Sequence, residues 1–223
     1  MLNNRIFLND KIGFVEYLGH LGDDLTVVNS ARVSLGKTSE NLTEKDKRLI
    51  RYLYEHKHWT PFSHVSFQFR IKMPFFVARQ WFRHQIGLSR NEISRRYVKE
   101  DPEFFIPDYF RISAENIKQG SLDEKNEKSD YFLKKLAEHY KECKALYNEM
   151  LHSNIPAEQA RITLPMGTYT EFIESASLAA YMRIYDLRVS KDAQKETSYY
   201  IKTIFEFIEM FCPVSTALLK NEK

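Results

Sequence analysis

The sequence predicts an α+β domain, with helices packed on a mostly antiparallel sheet. Two patterns carry that reading. Val65, Phe67, Phe69, Ile71 and Met73 are apolar while Ser66, Gln68, Arg70 and Lys72 between them are polar, a period of two that means a strand with one buried face. Phe132, Leu136, Tyr140, Cys143, Tyr147 and Met150 recur at three and four residues, the spacing of an amphipathic helix. No internal repeat is visible, and residues 1–223 are expected to form a single domain.

The elements follow in chain order. Gly13 to Leu18 reads as a short strand. Asp24 is placed to cap a helix through Leu25, Val28 and Val33. Thr43, with Asp46 three residues on, caps a second helix holding Leu49, Ile50 and Leu53. After the alternating strand, Pro74 suits the first position of a helix that turns Val77, Trp81 and Phe82 inward. Ala114 to Lys128 is polar and reads as a loop. Two more helices are expected, around Leu178 to Arg188 and around Ala193 to Phe211, with Pro213 ending the last.

Composition narrows the function. The chain is 43% hydrophobic and 28% charged, an ordinary globular balance with material for a core. A formal charge of +3 is too mild to demand nucleic acid, and it suits a phosphate-bearing small molecule if arginines converge. The two cysteines, Cys143 and Cys212, stand far apart in no metal-type spacing, so neither a disulfide framework nor a metal site is expected and a cytoplasmic setting is the default. Both read as buried structural thiols without a basic partner. The N-terminus lacks the apolar core of a signal peptide, and no run is long enough to span a membrane.

The densest polar segment runs from Arg83 to Tyr97 and holds four arginines, a histidine, a glutamate and two serines. A solvated basic face is the plain reading of such a run. Here the arginines come with Asn, Glu and Ser rather than lysine, and the planar guanidinium fork grips phosphate in two-point contacts that hydroxyls complete.

Several motifs together resemble the flavin-dependent thymidylate synthase family. They are His58-Trp59-Thr60-Pro61-Phe62-Ser63-His64, then Phe76-Val77-Ala78-Arg79-Gln80-Trp81-Phe82-Arg83-His84, then Asn91-Glu92-Ile93-Ser94-Arg95-Arg96-Tyr97. Ser30-Ala31-Arg32-Val33-Ser34 resembles the N-terminal signature. Glu158-Gln159-Ala160-Arg161, Leu164-Pro165, Leu187-Arg188 and Ala193-Gln194 resemble the C-terminal block. The resemblance implies an α+β thymidylate synthase fold and methylation of dUMP to dTMP without a cysteine nucleophile. It implies FAD as cofactor, with methylenetetrahydrofolate and NADPH as co-substrates, and a homotetramer with sites at subunit junctions.

It also implies residue roles. Arg188 matches the catalytic arginine that polarises the uracil ring. Gln80, Arg83, Ser94, Arg95, Arg96 and Arg161 match the dUMP cradle. Ser34, His58, Thr60, Arg83, His84, Gln85, Glu92 and Arg183 match the flavin side. Taken singly, Arg161 and Arg188 read more readily as helix-surface ion pairs, His64 as a half-buried histidine and Tyr97 as core. The chain departs from the family pattern at Gln85, which replaces an arginine, and at Ser177, Ala179 and Arg183. The segment between His84 and Asn91 is one residue longer than usual and contains Arg90. Arg183 and Arg90 are therefore the candidates to restore the missing positive charge. The departures leave two alternatives: a flavin protein of the same fold with altered pyrimidine-nucleotide chemistry, and a non-catalytic nucleotide or nucleic-acid binding module.

Overall fold

The alternation around Phe67 becomes the middle of the sheet. A computed structural model describes residues 4–98, 100–114, 121–190 and 192–220. In chain order they form β1 (Arg5–Phe7), β2 (Phe14–Leu21), α1 (Asp24–Arg32), α2 (Glu44–Glu55), α3 (Thr60–Ser63), β3 (Ser66–Pro74), α4 (Phe75–Trp81), β4 (Leu88–Glu92), β5 (Arg111–Ser113) and β6 (Ser121–Lys125). There follow α5 (Ser129–His152), α6 (Ala157–Ala160), β7 (Tyr169–Ser177), α7 (Leu178–Arg188), α8 (Lys195–Glu209) and α9 (Pro213–Lys220). The main sheet has the order β1-β2-β3-β7-β4, and every pairing in it is antiparallel.

On one face of β3, Phe67, Phe69, Ile71 and Met73 are buried. Phe69 packs edge-on to Tyr181 of α7 and against Phe207 of α8, so the helices of the C-terminal third roof that face. The opposite face stays polar: Gln68 Nε2 donates to Ser175 Oγ at 2.9 Å, and Arg70 pairs with Glu171. The hydrophobic term therefore fixes the register of β3, since a one-residue slip would turn its whole apolar set to solvent.

Thr43 and Asp46 form the expected reciprocal capping box at α2, and α7 runs from Leu178 to Arg188 as anticipated. Other expectations are corrected. Asp23, not Asp24, caps α1, accepting from the Thr26 backbone N–H at 2.9 Å. Asp24 is buried and instead accepts from the backbone N–H groups of Val214 and Ser215 at 2.7 and 3.0 Å, tying α1 to the start of α9. Pro213 does not end α8, which stops at Glu209; it opens α9, as a proline with no N–H to place in the first turn does well. Pro74 is the N-cap of α4 rather than its first residue.

The segment read as a loop from Ala114 contains β6, which pairs with β5; residues 115–120 of it lie outside the described residues. Cys212 is buried, and burial raises its thiol pKa. Cys143 is only half-buried, and its Sγ lies 3.5 Å from His139 Nε2 one turn earlier on α5. His64 and Tyr97 are exposed. None of the helices in the described residues is long and apolar enough to cross a membrane.

Candidate functional site

β4 lies inside the arginine-rich segment, and its pairing with β7 sets Arg90 opposite Glu174. Glu174 is fully buried and collects three donors: Arg90 Nε, Trp81 Nε1 at 3.0 Å and the Tyr181 hydroxyl at 3.1 Å. Burial raises the Glu174 carboxyl above its ordinary pKa, with Arg90, Trp81 and Tyr181 pulling against it. Arg90 Nη1 donates to the carbonyl of His84 at 2.6 Å, and its guanidinium lies over the Phe82 ring. One buried ion pair thus fixes the chain just before the turn at Gly87. That turn needs glycine, because φ is +77° and a Cβ would meet Ser177 Oγ at 3.0 Å. Ser177 in turn caps α7, accepting from the Ala180 N–H at 3.2 Å.

The His84 side chain faces α7. Arg188 Nε donates to His84 Nε2 at 3.0 Å. Burial, then the charges of Arg188 and Arg90, lower the His84 pKa to about 4. Burial and Arg83 lower that of Arg188. Helix α8 holds both sides of this region through its first turn. The Ser198 hydroxyl donates to the Arg188 carbonyl, and the Thr197 hydroxyl donates to Gln80 Oε1 at 2.6 Å. The Gln80 amide nitrogen makes no hydrogen bond among the described residues.

Two open cavities hold most of the expected nucleotide residues. The first, of about 870 Å³, is lined by Gln80 and Arg83 together with Arg79, Arg111, Ser121 and Gln194. Among the described residues the side chains of Arg79 and Arg83 make no hydrogen bond or ion pair, whereas Arg111 pairs with Glu196 and donates to Ser121 Oγ. The second, of about 890 Å³, brings together Ser94, Arg95, Arg96 and Arg161 with Glu92. Arg161 Nε reaches only the Glu158 carbonyl at 3.2 Å, and Arg95 Nε is buried with no partner. Glu92 accepts from the Thr170 hydroxyl at 2.5 Å. The cavities share no lining residue. Each concentrates guanidinium groups, so each suits an anion.

The remaining expected residues line neither cavity. Ser34 is exposed and donates to the Ala31 carbonyl at 3.0 Å. His58, Thr60 and Gln85 are exposed. Arg183 is half-buried and reaches the Ile86 carbonyl at 3.4 Å. Arg79 and Arg111 were not singled out from the sequence. Arg79 stands four residues before Arg83, a spacing that points along one helical face. Nothing local marks Arg111, which the β5–β6 hairpin brings to the cavity.

Comparison with known proteins follows the same lines. Residues 16–214 match the family described as thymidylate synthase complementing protein. The chain is 41% identical over 206 residues to the flavin-dependent thymidylate synthase of Thermosipho africanus, covering 90% of this chain and 88% of that one. It is 39% identical over 209 residues to that of Thermotoga neapolitana, covering 94% and 91%. Among solved structures it is similar to a UMP/dUMP methylase, PolB, from Streptomyces cacaoi, bound with 5-bromo-dUMP, at a TM-score of 0.84 and 28% identity over 93% of this chain and 94% of that one. The same methylase bound with 5-bromo-UMP gives a TM-score of 0.81, with 26% identity over 93% of each chain. An antiparallel sheet under a roof of helices, with arginines gathered in open cavities, makes this an α+β protein with anion-binding character. The chain belongs to the flavin-dependent thymidylate synthase family.

Proposed function

We propose that this protein methylates dUMP to dTMP, with FAD as cofactor, methylenetetrahydrofolate as carbon donor and NADPH as reductant. The observation that carries the reading is the convergence of Ser94, Arg95, Arg96 and Arg161 in one cavity, where motifs far apart in sequence meet. Arg96 and Arg161 hold the nucleotide phosphate through charge-assisted bonds, and the Ser94 hydroxyl adds a donor. Gln80 binds the nucleoside through its amide nitrogen. Arg188 sits against negative charge developing on the pyrimidine and makes the ring electrophilic.

The residues present fit a dinucleotide cofactor. Among the described residues Arg79 and Arg83 are cations without a partner in one cavity, and Arg111 stands beside them, which answers the charge of a pyrophosphate even with Gln85 in place of arginine. Arg183 adds a further half-buried cation beside the turn, and His58 and Thr60 are exposed and free to meet the ring system. When bound and reduced, the flavin would supply a hydride to the activated uracil ring. A thiolate route has no support: neither Cys143 nor Cys212 lines either cavity.

The active assembly is a homotetramer in which one subunit's Gln80–Arg83 cavity meets another subunit's Ser94–Arg161 cavity. The family resemblance, which implies sites at subunit junctions, supports this arrangement. A monomer in light scattering that retains activity contradicts it.

A second reading is methylation of UMP as well as dUMP, favoured by the similarity to a methylase solved with both brominated nucleotides. An absorbance spectrum of purified protein followed by titration with dUMP and UMP tests these readings. A yellow protein whose flavin spectrum responds to dUMP supports the proposal, and an equal response to UMP moves it to the second reading. A colourless protein with steep salt-dependent affinity for polynucleotide means a binding module instead.

A further inference from the structure

We infer that His84 is a positioning residue whose neutral imidazole fixes the guanidinium of Arg188 through Nε and leaves both Nη groups for the pyrimidine. This rests on the reading of Arg188 as the group acting on the uracil ring. An arginine Nε–H can only donate. It lies 3.0 Å from His84 Nε2, so that nitrogen carries a lone pair and the ring proton sits on Nδ1. A protonated ring would set N–H against N–H and cation against cation.

The surroundings oppose protonation. Burial is the largest cause, and the charged groups facing the ring, Arg188 from α7 and Arg90 from β4, add to it. The nearby carboxylate, Glu174, is taken by Arg90, Trp81 and Tyr181. The ring is placed from behind: Arg90 Nη1 holds the His84 carbonyl at 2.6 Å, and the His84 N–H donates to the Trp81 carbonyl at 3.1 Å. The Arg188 backbone is held by the Ser198 hydroxyl. Both partners are therefore anchored on buried elements, and the guanidinium keeps one orientation. Its Nη1 and Nη2 make no hydrogen bond among the described residues, so the fork edge remains for a carbonyl oxygen of the uracil ring. The resemblance places His84 on the flavin side. With Nε2 engaged by Arg188, only Nδ1–H is left for that purpose.

The first test is the ring ¹⁵N spectrum of histidine-labelled holoenzyme, with the His84 signals assigned by their loss in His84→Gln. The expected result is the Nδ1–H tautomer from about pH 8 down to about pH 5.5, well through the range in which an ordinary histidine protonates. An Nε2–H tautomer, or titration near the ordinary value, overturns the inference. The second test is kinetic. His84→Leu removes the acceptor and should lower kcat per flavin-loaded site about 10–100-fold, a part of what losing the whole charged stabiliser costs, with dUMP affinity nearly unchanged. His84→Gln offers an amide oxygen to Arg188 Nε and should recover most of that loss. Equal losses in the two variants, or a fall confined to flavin content, overturn the inference. Full activity in Arg188→Ala would instead defeat the functional reading, and the tautomer measurement would still stand.

Discussion

Arg90 and Arg161 both belong to arginine-bearing motifs, yet the fold treats them in opposite ways. Arg90 has 14% of its side chain exposed and faces a fully buried Glu174. It braces β4 against β7 and holds the His84 carbonyl. Arg161 is exposed at the mouth of a cavity, and its side chain reaches only a backbone carbonyl. The same contrast separates Arg188, seated on His84, from Arg79 and Arg83. Buried guanidinium groups are held in place by neighbouring side chains, whereas Arg79, Arg83 and Arg161 have no carboxylate partner among the described residues. Arg90 is therefore a strut of the sheet, its charge met by Glu174.

That contrast breaks most sharply at Glu174. Glu174→Ala leaves the Arg90 charge buried without compensation and strips Trp81 and Tyr181 of their acceptor. The expected loss is about 3–5 kcal/mol of stability, read as a lowered midpoint in denaturant unfolding. Glu174→Gln should lose less, because it keeps an acceptor. A change under about 0.5 kcal/mol, the range of an ordinary surface substitution, would mean the pair does not brace the sheet.

Arg188→Ala comes next. The fold should survive, and turnover should drop about 10²–10³-fold, the usual size for one charged transition-state stabiliser. Arg188→Lys should remain poor, since an ammonium cannot copy the fork. Near-normal turnover in Arg188→Ala would remove this residue from the chemistry.

Arg161→Ala sharpens the other side. It should cost about 1.5–3 kcal/mol of dUMP binding, the range for a charge-assisted hydrogen bond, seen in calorimetric titration, while stability moves by less than about 0.5 kcal/mol. A stability loss as large as that of Glu174→Ala would place Arg161 among the struts. The smallest effect belongs to Cys143→Ala. On a half-buried helical position away from both cavities, it should leave turnover within about twofold and stability within about 0.5 kcal/mol. A tenfold loss of turnover would reopen thiol chemistry.

How far the sequence could be read follows from where each signal lives. The strand at Phe67, the cap at Thr43 and the helix from Leu178 to Arg188 are written locally, in period, capping chemistry and an apolar run. β4 and β7 are not. β4 carries Arg and Asn and becomes a strand because β7 supplies the ladder and Glu174 neutralises Arg90. Asp24 looked like a cap because it is an aspartate before an apolar run; the neighbouring Asp23 takes that role, and the bond from α9 to Asp24 spans most of the chain. The motif residues Ser94, Arg95, Arg96 and Arg161 did converge in a cavity. The pairing of His84 with Arg188 could not be read, since a loop and a helix end meet there only after β4 has paired with β7.

The central claim is that this arginine-lined site methylates a pyrimidine nucleotide. The most direct measurement is chromatography of the nucleotide products after purified, flavin-loaded protein has been incubated with dUMP, methylenetetrahydrofolate and NADPH. The account predicts dTMP that accumulates with time, requires all three additions and is nearly abolished in Arg188→Ala. Unchanged dUMP in a correctly folded, flavin-loaded protein that binds the nucleotide would contradict it.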